Sequence, residues 1–169
     1  GNCLIIDDPI KDQEEADSAL VRDKLWDWYQ STAYTRLAPG GGVLCIQTWW
    51  SDDDLAGRLQ QAMALIGKEG APEGIDDFEI IKYPALSTHY EYRDDVDPAN
   101  PGPIIRTDEP IDVANPPLGY SKHLTLLRPK DTCLHEDRYP TEALKRIRAN
   151  LQPRIWSALY QQNPVPDEG

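Results

Sequence analysis

Hydrophobic and polar positions divide this chain into segments of different period. The run Cys3-Leu4-Ile5-Ile6 ends abruptly at Asp7-Asp8-Pro9, the pattern of a buried strand that delivers two carboxylates to the edge of a sheet. From Lys11 to Leu37 the spacing turns helical, with Ala16, Leu20, Val21, Leu25, Trp28 and Thr32 forming one apolar stripe. Asp12 and Glu15 have the spacing of a capping box, and a break near Asp17-Ser18 would divide the segment into two helices. Pro39-Gly40-Gly41-Gly42 stops it. Val43-Leu44-Cys45-Ile46-Gln47-Thr48 then reads as a second buried strand. Two such strands joined by a helical crossover form a βαβ unit, with parallel pairing and a right-handed connection.

A further helix opens at 52–54, carries Leu55, Leu59, Met63 and Ile66 on one face, and ends at Gly67 and Gly70. Phe78-Glu79-Ile80-Ile81-Lys82-Tyr83 predicts a third strand. From about Thr88 to Leu134 the pattern dissolves. Prolines 98, 101, 103, 110, 116 and 117 are interspersed with aspartates there, which predicts a long loop or excursion. Helical spacing returns from Thr141 to about Leu151, and Pro153 suits the first turn of a last helix reaching Gln162. Residues 163–169 read as a linker. The expected organisation is therefore an α/β segment over 1–87, a Pro/Asp-rich excursion over 88–134, and a helical segment with linker over 135–169.

Composition narrows the function classes. At 169 residues the chain can bury a core, and a 40% hydrophobic content with five tryptophans fits a globular protein. Its net charge of −12 argues against a broad nucleic-acid-binding face in this segment, though not against local basic contacts. Cys3, Cys45 and Cys133 lack metal-ligand spacing, and two of them fall in predicted buried strands. They read as reduced residues of a cytosolic protein. No apolar stretch has the length of a membrane span, and no signal peptide is evident. The first residue is Gly and the only Met is Met63, which suggests a fragment, a processed product or a trimmed chain.

Asp7 and Asp8 are the foremost chemical candidates. In open α/β sheets ligands bind outside the carboxyl ends of the strands. One acid there can hold Mg²⁺ while its neighbour orients or deprotonates water in phosphate hydrolysis. A solvated turn or a helix N-cap is the plainer reading of the same pair. Thr48 favours the functional one, because the neighbouring strand would bring its hydroxyl to the same rim. Trp49 and Trp50 read as packing at the base of the next helix, capped by Ser51 or Asp52, with base stacking as the alternative. Arg36 and Arg58 could reach a phosphate, but such arginines more often pair with acids. His89, His123 and His135 are too scattered for a metal site. Gly40-Gly41-Gly42 lacks a following Lys-Ser/Thr and precedes a strand, so it reads as a turn.

Three blocks in order resemble the large terminase subunit of tailed bacteriophages, the ATP-driven motor that packages DNA into procapsids. The first runs from Leu4-Ile5-Ile6-Asp7-Asp8-Pro9-Ile10-Lys11 through Glu15-Ala16-Asp17-Ser18 and Trp26-Asp27-Trp28-Tyr29 to Thr35-Arg36-Leu37. The second is Gln47-Thr48-Trp49-Trp50-Ser51-Asp52-Asp53-Asp54-Leu55-Ala56-Gly57-Arg58-Leu59. The third runs from Arg138-Tyr139-Pro140 to Ala158-Leu159-Tyr160-Gln161-Gln162-Asn163-Pro164.

The resemblance implies part of a P-loop NTPase domain, RecA-like with a parallel sheet, followed by a helical segment leading to a nuclease. It makes 4–8 the Walker B strand, with Asp7 holding Mg²⁺ of the bound ATP and Asp8 as the catalytic carboxylate. Thr48 would lie in the motif that couples hydrolysis to movement. Two departures are visible. The family block after this Thr typically reads Thr-Arg-Trp-His, whereas here Trp49 stands for the Arg and Ser51 for the His. Many such ATPases also carry Glu where Asp8 stands. The phosphate-binding loop would lie upstream of Gly1 and the nuclease downstream of Gly169. The implied partners are DNA, the portal protein, the small terminase subunit and sister subunits in a ring. The implied setting is the host cytoplasm, transiently at the procapsid portal. A helicase-like ATPase fragment and a non-catalytic interaction remnant of a packaging protein are the alternatives.

Overall fold

The computed structural model describes residues 1–97 and 99–164. It is a mixed α/β structure with one parallel and one antiparallel sheet, divided into two compact units. The first comprises residues 1–82 and the chain from Arg154 onward, the second Tyr83–Pro153. These units cut across the three segments expected from sequence.

In the first unit, β1 (Cys3–Asp7) pairs in parallel with β2 (Gly42–Ile46), from Cys3 opposite Gly42 to Asp7 opposite Ile46. The crossover is helical and breaks where the sequence suggested. Ser18 ends α1 (Gln13–Asp17) and caps α2 (Ala19–Trp28), its hydroxyl accepting from the Val21 amide. The Asp12 carboxylate accepts from the Glu15 amide at 3.0 Å, while Glu15 reaches back to the Lys11 amide at 3.2 Å. This is the capping-box economy displaced by one residue: orphan amides at a helix start are satisfied by nearby acids. Helix α2 runs on as a wide turn, Tyr29–Ala33, and a tight one, Tyr34–Arg36, before β2. Gly40, at φ +78°, supplies the left-handed residue of the turn predicted there.

Helix α3 (Leu55–Met63) packs on the inner face of the sheet, where Ile6, Tyr29, Leu55 and Leu59 form the core. The outer face differs. Ile5, Leu44 and Ile46 are 62%, 49% and 52% exposed, although parallel sheets are ordinarily covered on both faces. Cys3, expected to be buried, is likewise exposed on this side; Cys45 is half-buried and Cys133 buried, and all three are free thiols. The predicted third strand does not form. Residues 78–83 have strand-forming side chains but join no sheet among the described residues; Phe78 packs against the core. Farther on, Arg154 pairs with Asp17, and Trp156 is buried and stacks on Tyr160.

In the second unit the expected long loop is a three-stranded antiparallel sheet in the order β4-β3-β5. Its strands are β3 (Tyr90–Asp94), β4 (Ile104–Thr107) and β5 (Leu124–Arg128). Prolines 101, 103, 110, 116 and 117 lie between the strands, where a missing N–H breaks no ladder bond. Tyr92 is the centre of this unit, 1% exposed, with its phenolic oxygen accepting from the Ile111 amide at 2.7 Å. Glu91 stands between Arg106 and Arg128 on the two flanking strands, 3.1 Å from each. Helix α4 (Thr141–Asn150) forms as predicted and buries Leu144. Glu136 holds its start by accepting from the Thr141 amide and hydroxyl, and this binding lowers the Glu136 pKa. The Cys133 thiol donates to the same carboxylate and is the largest cause of that lowering.

Among the described residues no helix is long and apolar enough to cross a membrane.

Candidate functional site

The parallel register brings the sequence-nominated residues to one rim. Asp7 is the last residue of β1, and Asp8 extends the ladder by donating its amide to the Ile46 carbonyl at 2.8 Å. Asp8 then turns the chain at φ +42°, a left-handed conformation that aspartate tolerates better than most residues. In that conformation its carboxylate accepts from the Thr48 amide at 3.3 Å. Both aspartates are exposed and Thr48 is half-buried. The contact joins the ends of two parallel strands through an acid, where an α/β sheet presents its chemistry.

The chain beyond Thr48 is shaped by the last of three consecutive acids. Asp54, rather than Ser51 or Asp52, caps α3. It is fully buried (0% exposed) and receives the Gly57 amide at 3.0 Å, the Trp50 amide at 3.0 Å and the Ser51 amide at 3.2 Å. Burial pushes its carboxyl above the ordinary aspartate value, against the pull of these amides. The signal was available in the sequence: Asp54 directly precedes Leu55, the first residue of the apolar stripe, which is where an N-cap belongs.

Arginines nominated as phosphate contacts divide. Arg58 pairs with Asp53 at 3.0 Å and with Asp23 at 2.7 Å, and Arg22 binds the other side of Asp53 at 2.9 Å. This network joins α2 to the start of α3 and engages Arg58 in structure. Arg36 is exposed at the end of the tight turn. Trp49 donates its indole N–H to the Ser51 carbonyl at 3.0 Å and lies under the Lys82 ammonium, 3.8 Å from the ring centre.

Neighbouring acids here respond to pH with opposite sign. Arg58, followed by Arg22, holds the Asp53 carboxyl below its usual 3.8, so its contribution to stability is present above that value and lost as pH falls through the depressed one. The raised Asp54 favours folding below the unfolded value and loses that contribution as pH rises through the folded one. Asp53→Asn is expected to flatten the loss of stability below about pH 4, read by acid titration of tryptophan fluorescence. An unchanged acid limb would remove Asp53 from the account.

The donor set at the rim suits a hard cation. Two exposed carboxylates at a strand end match Mg²⁺, which is commonly held by one or two carboxylates while keeping several waters. Among the described residues no group of three or more His, Cys, Asp or Glu is gathered for a metal.

Neither a family model, nor a curated protein, nor a solved structure matches the chain.

Proposed function

We propose that this chain is part of the ATPase domain of a terminase large subunit, RecA-like in its parallel sheet. The contact between the Asp8 carboxylate and the Thr48 amide carries the reading, because it joins two consecutive parallel strands at their carboxyl rim. The uncovered outer face of β1 and β2 supports it further: Ile5, Leu44 and Ile46 belong to a sheet with more cover than these two strands possess. Asp7 holds Mg²⁺ of the substrate ATP, and the ion, when bound, neutralises phosphate charge. Asp8 orients the attacking water and accepts its proton. Thr48, whose amide touches Asp8, transmits a change at that carboxylate to the loop anchored by Asp54. In the intact protein this hydrolysis drives DNA into the procapsid, with the portal protein and the small subunit as partners in a ring, in the host cytoplasm.

One observation favours a second reading, a non-catalytic interaction domain derived from a packaging protein. Trp49 occupies the family's arginine position, and its ring is engaged by Lys82.

The test uses the protein expressed from the whole parent reading frame. Steady-state ATP turnover is expected, with Asp8→Asn lowering kcat about 100-fold or more and Asp7→Asn raising the Mg²⁺ requirement. The 169-residue chain alone should show negligible turnover. Turnover by the parent protein that both substitutions leave intact would sink the catalytic reading, and absence of turnover would favour the interaction domain.

A further inference from the structure

The first unit contains a cavity that the rim chemistry leaves unused. It measures about 140 Å³ and lies between α3, the end of β2 and the unpaired segment 78–82. Leu59, Met63, Phe78, Ile80 and Ala56 supply its apolar lining, and the Cys45 thiol completes it. Burial pushes that thiol up to about 11, so at neutral pH it is protonated and behaves as one more apolar surface. For scale, an apolar cavity of about 150 Å³ holds a benzene molecule. The space is therefore that of a single aryl ring or a branched alkyl group.

Its polar groups are few. Gln47 and Gln60 bring side-chain amides, Gln162 borders it, and Glu79 is exposed at the edge. Lys82 is the cation, set over the Trp49 ring at 3.8 Å, and burial lowers its pKa. The charge of Asp52 acts on it, Glu79 lines the same space, and no ion pair within 4 Å is formed by Lys82 among the described residues. An ammonium that rests on an aromatic face, without a carboxylate against it, is placed to receive an anion at the mouth of an apolar space. Ile80 and Ile81 are 47% and 63% exposed beside this mouth, which widens the apolar surface available to a ligand.

We infer that this cavity binds a ligand with an apolar body the size of one aromatic ring and a carboxylate one or two bonds beyond it. The ring occupies the space between Met63 and Phe78, and the carboxylate meets Lys82; the Gln47 and Gln60 side-chain amides, which donate to the Thr48 and Ala56 carbonyls, border the ligand. A free aryl-alkyl acid and the C-terminal residue of a partner protein share this chemistry. The site is independent of the Asp7, Asp8 and Thr48 reading, and its test involves no nucleotide.

The experiment is an amide-resolved NMR titration of the chain with 3-phenylpropionate and, separately, its amide. Saturable shifts are expected at the Gln47 and Gln60 side chains and along 80–82, with a midpoint of about millimolar for so small a ligand. The amide should bind about tenfold more weakly. Lys82→Gln is expected to abolish the preference for acid over amide, and Lys82→Arg to restore it. Met63→Trp, which fills the cavity, is expected to abolish binding; unperturbed resonances around Tyr92 and Ile6 certify that these variants fold. A short peptide ending in phenylalanine, with a free or an amidated terminus, separates the two sources. Tighter binding of the free-ended peptide identifies a partner's C-terminus, and binding of the small acid alone identifies a metabolite. Equal binding of acid and amide, a preference that survives Lys82→Gln, or no saturable shift with any probe would overturn the inference.

Discussion

Gly57→Ala is expected to destabilise the first unit by about 3 kcal/mol, although helix propensity alone predicts the opposite sign. In an unconstrained helix interior, alanine in place of glycine gains about 1 kcal/mol. Here a Cβ would stand 2.1 Å from the Asp52 carbonyl oxygen and 2.4 Å from its carbon. The obstacle is backbone, so no rotamer change relieves it, and the loop 48–54 or the first turn of α3 must move. Urea unfolding followed by tryptophan fluorescence reads this unit alone, since Trp26, Trp28, Trp49, Trp50 and Trp156 all belong to it. A midpoint equal to or above that of the parent chain would show that the loop yields freely, and the close packing of Asp52 on α3 would lose its significance.

Asp54→Ala should cost about 2 to 3 kcal/mol by the same measurement. The loss combines a helix cap with two loop amides, those of Trp50 and Ser51, that would be left without their acceptor. Asp54→Asn keeps one acceptor oxygen and should fall between the two. Because burial holds the ionised carboxylate at a disadvantage, the deficit of the Asn variant should shrink as pH rises through the raised Asp54 value. A deficit of Asp54→Ala no larger than that of an exposed cap, about 1 kcal/mol, would mean that water satisfies the loop amides.

Local patterns were legible where local physics decides. The βαβ order, the break at Ser18, the Asp12 cap, the glycine turn and the start of α4 each depend on residues within a few positions of one another. Their side-chain oxygens and apolar spacings suffice to place them. The candidate rim was legible for a related reason: the apolar runs of β1 and β2 each end in polar residues, and parallel pairing aligns those ends. Patterns failed where a partner strand had to be supplied. Residues 78–83 have the composition of a strand, but they join no sheet among the described residues. The segment 88–134 looked structureless because its strands are short and its prolines conspicuous, yet those prolines sit in the connections and leave the ladders intact.

The sequence by itself determined the acid pair at the end of an apolar run, the helical crossover, and the return of polar residues at Thr48. The tertiary structure decided which groups meet: Asp8 with the Thr48 amide, Asp54 with three amides of its loop and helix, Arg58 with Asp53 and Asp23, and Lys82 with Trp49. Each of those contacts depends on register, packing angle and the burial of a charge. Such quantities arise only when distant parts of the chain share space, and no periodicity along the chain encodes them.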